Sequence, residues 1–205
     1  MSDVERNAMV IGVTGGIACG KSEVGRILEG MGYCVNDADY VAHALMAKGT
    51  GIFKDIVAYF GNRILSDDGE ISRSALGAIV FEDTDKRERL NALIHPAVRS
   101  ELERWISEQR TRGNQAAVQI PLLFESGMND LDLDGIICVS ATDEIILERL
   151  RSRGIDRDAA VKRIRSQMPL EEKELLSDCI IRNFGTLQEL EGATRQALEK
   201  LPVER

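Results

Sequence analysis

No stretch of this chain is apolar for long enough to cross a bilayer, and no charged segment leading into an apolar one precedes a cleavage-like site. A soluble, cytoplasmic protein with no membrane partner is expected. Cysteine is present without a pattern: Cys19, Cys34, Cys138 and Cys179 form no Cys-x-x-Cys pair and no metal-ligand spacing. A reduced setting is favoured over a disulfide framework, and Cys34, Cys138 and Cys179, each in an apolar run, read as small core residues. Basic residues fall short of the acidic ones. At a net charge of −8 and a pI near 5.0, a general nucleic-acid binder is excluded, because affinity for a phosphate backbone needs an excess of Lys and Arg. Internal repeats and low-complexity tracts are missing too.

What is there is a chain of 205 residues, 43% hydrophobic, long enough to bury a real core as one compact unit with small appended subdomains. The polar residues 1–8 read as a short frayed extension. An apolar run, Met9-Val10-Ile11-Gly12-Val13-Thr14, then leads into Gly15-Gly16-Ile17-Ala18-Cys19-Gly20-Lys21-Ser22. A Gly, four free positions and Gly-Lys-Ser, set between a strand-like and a helix-like run, is the pattern of a phosphate-binding loop. Glycines let successive backbone N–H groups turn inward around phosphate oxygens, and the next helix aims its positive end at the anion. Lys21 would reach the β- and γ-phosphates, and the Ser22 hydroxyl would be a ligand of the bridging Mg²⁺. Cys19 reads as a small filler whose oxidation would block nucleotide binding.

The apolar face of Val24, Ile27 and Leu28 predicts a helix that ends near Gly30 and Gly32. A short strand, Tyr33-Cys34-Val35, delivers Asn36-Asp37-Ala38-Asp39 at its C-terminal end, the edge where ligands bind in an open parallel sheet. Residues 40–112 read as helical, with segments near 40–47, 51–60, 73–81, 84–94 and 96–111 and a break at His95-Pro96. The sheet resumes over 116–123, where Pro121 ends the strand and residues 122–125 turn. A buried strand follows at 135–140, then a helix at 142–153 capped by Thr142, a fifth strand at 178–183, and a closing helix at 186–201 with Leu187, Leu190, Ala193, Ala197 and Leu201 on one side. The fold class is α/β: a five-stranded parallel sheet flanked by helices, with an inserted helical domain.

Between Arg149 and Arg165 the acidic balance reverses, and the window carries a net +5. A triphosphate needs cations opposite the loop, so this segment reads as a phosphate-clamping lid, with Arg149 and Arg153 spaced i, i+4 on one helix face. Three reactions suit a phosphate loop in a small protein: a small-molecule kinase, a GTPase switch and an ATP-driven module. No Asn-Lys-x-Asp occurs and no Asp-x-x-Gly closes the third strand, as a switch would need; a motor would end that strand in Asp, where this chain offers Gln119 and, further on, Glu125. The small-molecule kinase explains both the helical insert and the basic segment. A kinase for another nucleotide-like acceptor and a non-enzymatic nucleotide-binding module stay as alternatives.

These residues together resemble the dephospho-coenzyme A kinase family. The resemblance runs through Gly12-Val13-Thr14-Gly15-Gly16-Ile17 with Gly20-Lys21-Ser22, Asp37-Ala38-Asp39 with Ala42-His43, Asp68-Gly69-Glu70-Ile71-Ser72-Arg73 with Leu76, and Ile94-His95-Pro96. Pro121-Leu122-Leu123-Phe124-Glu125, Arg149, Arg153, Gln167, and Asp178 with Asn183-Phe184-Gly185 complete it. It implies ATP-dependent phosphorylation of the ribose 3′-hydroxyl of dephospho-coenzyme A (dephospho-CoA), the last step of coenzyme A synthesis, with ATP and Mg²⁺ required.

The resemblance further implies a nucleotide-binding core over 9–39, 114–148 and 169–205, an acceptor subdomain over 40–113 and a lid over 149–168. Asp39 would hold or deprotonate the acceptor hydroxyl, with Lys21 and Arg149 stabilising the transferring group. Thr14, Gly16, Ile17, Ala18, Cys19, Gly20, Lys21, Ser22, Glu23, Arg149, Arg153 and Asn183 would bind ATP. Asp37, Asp39, Arg73, His95, Pro121 and Leu122 would bind the acceptor, and Ser22 the metal. His43 reads as a surface or packing residue. The partners are the two small substrates, in a monomer or small homo-oligomer. This chain departs from the pattern at Cys19, where Ser is usual, at Glu23, where Thr is frequent, and at Gln119, where many members carry the Asp of an outer-shell magnesium contact.

Overall fold

Five apolar runs pair into one sheet in the computed structural model, which describes residues 8–201. The strands are β1 (Val10–Gly15), β2 (Cys34–Asp37), β3 (Ala116–Gln119), β4 (Gly135–Ser140) and β5 (Cys179–Arg182). All neighbours are parallel, in the order β2-β3-β1-β4-β5. Between the strands run α1 (Lys21–Gly30), α2 (Ala38–Leu45), α3 (Gly51–Phe60), α4 (Arg73–Glu82), α5 (Thr84–Thr111), α6 (Asp143–Ser152), α7 (Arg157–Arg165) and α8 (Leu170–Leu176), and α9 (Leu187–Lys200) follows β5. The chain divides into two compact units, one holding the residues up to Asp37 and from Trp105 onward, the other Ala38–Arg104. The expected extension over 1–8 lies, apart from Ala8, outside the described residues.

In the first unit, β1, β3 and β4 are buried along their whole length, as parallel strands covered on both faces are. The period of two splits β1 between those faces. Ile11 and Val13 join Val24 and Leu28 of α1, Ile146 and Leu150 of α6, and Leu190 and Ala197 of α9, each large apolar side chain contributing roughly 1.5–3 kcal/mol by its burial. Gly12 turns the other way, toward the side chains of Leu123, Leu133 and Ile136. Acidic side chains close the starts of the strands. Asp134 Oδ2 accepts from Val10 N at 2.6 Å, Asp178 Oδ2 accepts from Ile136 N at 2.8 Å, and Arg110 donates to both Asp134 and the Ala8 carbonyl. Asp178 therefore serves the N-terminal edge of the sheet, opposite the edge where the glycine-rich loop follows β1.

The second unit is helical, with Ile56, Phe60, Ile64, Leu76, Ile94, Val98 and Leu102 buried. Thr50 and Ser72 cap α3 and α4 by accepting from Phe53 N and Ala75 N. The expected break at His95-Pro96 does not occur: α5 runs unbroken for 28 residues with Pro96 inside it. Ile94, Val98 and Leu102, at i, i+4 and i+8, form one buried stripe across the proline, and its burial outweighs the local cost of about 3 kcal/mol for a proline in a helix. Two other expectations need amendment. Cys34 is only partly buried. Leu187, read as a core residue of the last helix, is 58% exposed.

Candidate functional site

The loop between β1 and α1 is shaped by its backbone. Among the described residues Ala18 is the non-glycine residue with a positive φ, +57°, and Gly20 caps α1 at φ +105°. Gly20 also has no room for a side chain, because a Cβ there would lie 2.2 Å from Asn183 Nδ2. That amide donates to the Cys19 carbonyl at 2.8 Å. Lys21 folds back over the loop, its Nζ donating to the carbonyls of Gly15 and Gly16 at 3.0 and 3.2 Å. Ser22 and Glu23 occupy the first turn of α1, where Glu23 pairs with Arg26.

Arg149, on α6, reaches the same loop. Nη1 donates to the Ala18 and Cys19 carbonyls at 3.1 and 3.2 Å, and Nη2 donates to the Asn183 carbonyl at 3.1 Å. A planar guanidinium can serve three acceptors in a fixed fork, which an ammonium cannot do. Thr142, the expected cap, holds the start of α6 through Ile145 N. A cleft of about 460 Å³ opens beside the loop, lined by Ala18, Gly20, Glu23, Arg149, Arg153 and Asn183. Ser152, Leu187 and Leu190 complete its wall. The structure thus gathers six of the residues expected to bind ATP, and it adds an apolar side that helix periodicity had assigned to the core. The signal for Leu187 was its place in the first turn of α9, where an apolar side chain need not face the sheet.

The other expected residues fall as follows. Thr14 Oγ1 donates to the Pro121 carbonyl at 3.4 Å, and Leu122 is exposed in the turn after β3. Asp37 ends β2. Asp39 lies in the first turn of α2, Arg73 starts α4, and His95 sits within α5, all three in the helical unit. Burial lowers the His95 imidazole below its ordinary value. Burial raises the Cys19 thiol against the opposing pull of Lys21, and pushes Cys138 up to about 12.

Glu125, a possible stand-in for the missing strand-end carboxylate, is engaged elsewhere. Lys173 of α8, fully buried, lies 2.7 Å from Glu125 Oε1 and donates to the Pro121 carbonyl at 2.7 Å. Glu125 Oε1 also accepts from Met168 N, and Gln167 Oε1 accepts from Ile17 N, both at 2.9 Å. Sequence reasoning missed Lys173 because a lysine in an acidic helix reads as solvated. Among the described residues no group of three His, Cys, Asp or Glu could hold a metal. Gln119 Oε1 is buried without a hydrogen-bond partner, and its amide packs on Gly25, where a Cβ would lie 2.2 Å from Nε2. The Ser22 hydroxyl is a hard neutral donor of the kind magnesium accepts alongside phosphates and water, and the orphaned Gln119 oxygen can accept a hydrogen bond from metal-bound water. The residues therefore fit the ion.

Comparison with known proteins agrees with this geometry. A sequence model of the dephospho-CoA kinase family matches residues 9–189. The chain is 42% identical to the dephospho-CoA kinase of Carboxydothermus hydrogenoformans over 193 residues, 93% of each chain. It is 41% identical to that of Bacillus anthracis over 194 residues, 94% of this chain and 96% of the relative. The crystal structure of TT1252 from Thermus thermophilus superposes with a TM-score of 0.80 at 33% identity, covering 96% of this chain and 99% of that one. Dephospho-CoA kinase from Campylobacter jejuni gives 0.70 at 27% identity, covering 93% and 96%. Shikimate kinase from Aquifex aeolicus shares the fold alone, at a TM-score of 0.52 and 15% identity over 93% of this chain and 96% of that one. A five-stranded parallel sheet, a phosphate loop gripped by Arg149 and Asn183, and these relatives together make the chain a member of the dephospho-CoA kinase family.

Proposed function

We propose that this chain transfers the γ-phosphoryl group of ATP to the ribose 3′-hydroxyl of dephospho-CoA, giving CoA and ADP in the cytoplasm. The observation that carries the reading is the Arg149 guanidinium, hydrogen-bonded to the loop carbonyls of Ala18 and Cys19 at the wall of the cleft. It supplies a second cation to a loop that already holds Lys21. The bond from γ-phosphorus to the β,γ-bridging oxygen breaks as the bond to the 3′-oxygen forms. Lys21 and Arg149 neutralise the charge that shifts onto the phosphoryl and bridging oxygens. The hydroxyl proton passes to the Asp39 carboxylate, whose main task is to orient the oxygen, since the transition state of phosphoryl transfer is loose.

The loop residues from Gly16 to Glu23, with Thr14 before them, hold the triphosphate. Leu187 and Leu190 offer the base an apolar wall, and Arg153 and Asn183 border the same cleft. Magnesium, when bound, neutralises β- and γ-phosphate oxygens; Ser22 would ligate it, and Gln119 would accept from its water shell. Residues 40–113 form the acceptor subdomain, with Arg73, His95 and Asp39 as contacts, joined by Asp37, Pro121 and Leu122. Residues 149–168 act as the lid, and the enzyme works as a monomer or small homo-oligomer on small molecules alone. No helix among the described residues is long and apolar enough to cross a membrane, in keeping with this reading.

A coupled ADP-release assay with ATP, Mg²⁺ and dephospho-CoA, run beside adenosine, shikimate and nucleoside monophosphates, tests the proposal. Turnover on dephospho-CoA is expected; turnover on one of the others instead would replace the acceptor while leaving a kinase. Asp39→Asn is expected to keep ATP affinity and lose turnover by orders of magnitude. Normal turnover in that variant removes Asp39 from the reaction.

A further inference from the structure

Building on the ATP-binding reading above, we propose that Gln167 is a positioning residue for the donor triphosphate, held in place by Glu125 and the buried Lys173 that pairs with it. Gln167 lies in the connection between α7 and α8 and accepts from Ile17 N at 2.9 Å. Ile17 belongs to the phosphate loop, whose backbone amides form the anion cradle. Gln167 takes up the Ile17 N–H and so tethers this part of the loop backbone from outside the loop. Leu170, at the start of α8, packs against the same core cluster as Ile17 and lies beside Gly16, 3.6 Å from where a Cβ on that residue would be.

The next residue along explains why Gln167 stays in place. Met168 N donates to Glu125 Oε1 at 2.9 Å, and that oxygen lies 2.7 Å from Lys173 Nζ. Lys173 has no solvent exposure, whereas Glu125 keeps 22%. A buried ammonium is costly, and an apolar side chain of the same length would usually serve packing as well or better. What only the charge provides is a fixed carboxylate, and with it a fixed acceptor for Met168 N. Lys173 also donates to the Pro121 carbonyl at 2.7 Å, which Thr14 Oγ1 reaches at 3.4 Å just before the loop. The turn after β3, the start of α8 and the phosphate loop are thereby joined through neighbouring polar contacts, and the loop backbone is held in shape before the donor arrives. Preorganisation of that kind lowers the cost of binding ATP and leaves the acceptor untouched.

The test uses the full chain and calorimetric titration with MgATP in the absence of acceptor, beside titration with dephospho-CoA and thermal unfolding. Gln167→Met, which keeps length and removes the acceptor oxygen, is expected to weaken MgATP binding roughly tenfold, as one lost hydrogen bond would. Affinity for dephospho-CoA and the unfolding temperature should hold. Glu125→Gln should weaken MgATP binding in the same direction, and the double variant should be no weaker than the poorer single one, because both act through one contact. Unchanged MgATP affinity in Gln167→Met, equal losses for both substrates, or additive losses in the double variant would each overturn the proposal. Gln167→Ala serves as the second variant if the methionine fails to fold. Wild type that turns over dephospho-CoA while Gln167→Met binds MgATP normally defeats this inference alone; wild type that binds no MgATP defeats the reading beneath it.

Discussion

Arg149 concentrates in one side chain what the loop cannot do for itself. Its fork meets the carbonyls of Ala18, Cys19 and Asn183, so both charge and planarity matter. Arg149→Ala is expected to lower kcat/KM by about 10²–10³, the loss typical of one transition-state donor. Arg149→Lys should recover only a small part, and full recovery in steady-state assays would mean that charge alone suffices. The cysteines supply a second prediction at this scale. Burial raises the thiols of Cys19, Cys138 and Cys179, so each holds less thiolate at neutral pH than a free thiol, while Cys34 is only partly buried. A short iodoacetamide pulse at pH 7.5, followed by peptide mass spectrometry, should label Cys34 first. Early labelling of Cys19 would restore it as a reactive point inside the loop.

Among the elements, α5 departs furthest from its sequence. Local rules end a helix before a proline, yet the stripe of Ile94, Val98 and Leu102 continues through Pro96. Pro96→Ala should therefore stabilise the chain by about 1 kcal/mol or more, since it restores an amide donor and removes the ring clash without moving the stripe. A urea midpoint that falls would show that α5 needs a proline-induced bend. The start of α6 could be read directly, from Thr142; the other caps emerge from the structure. Thr142, Thr50 and Ser72 cap the helices they precede, and Thr186 with Glu189 forms a full capping box before α9. Residues 149–165 were legible as a basic segment, but α7 and the following α8 were not, because short charged helices leave little apolar period to find.

For the molecule as a whole, pH dependence separates two groups. Desolvation lowers the folded-state value of His95 below the ordinary 6.5, so its contribution is full above that value and is lost as pH falls through the lowered one. The carboxyls of Asp156 and Glu189 are lowered by the backbone N–H groups of Ala159 and Thr186. Their contribution is full above the ordinary values of 3.8 and 4.5 and is lost further toward acid. Urea midpoints should thus be level from pH 8 to about 7, decline first below about 6.5, and decline again in the carboxylate range. His95→Gln should abolish the first decline and leave the second; a first decline that persists assigns it to another group. The net charge of −8 gives the charge balance a further meaning, since a molecule that repels polyanions overall needs local cations to bind them, here Arg149 and Arg153 at the wall of one cleft and Lys21 on the loop beside it.

Sequence alone determined the strands, the phosphate loop, the Thr142 cap and the family, because those depend on near neighbours: a period of two, a spacing of eight residues, an oxygen three residues from an amide. Tertiary structure decided what depends on distant partners. It buried Lys173 against Glu125, exposed Leu187 to the cleft, carried α5 through Pro96 and tied Gln167 to Ile17, 150 residues away. A side chain's local propensity is small beside the desolvation and packing free energy of the place the fold gives it, and only the fold determines that place.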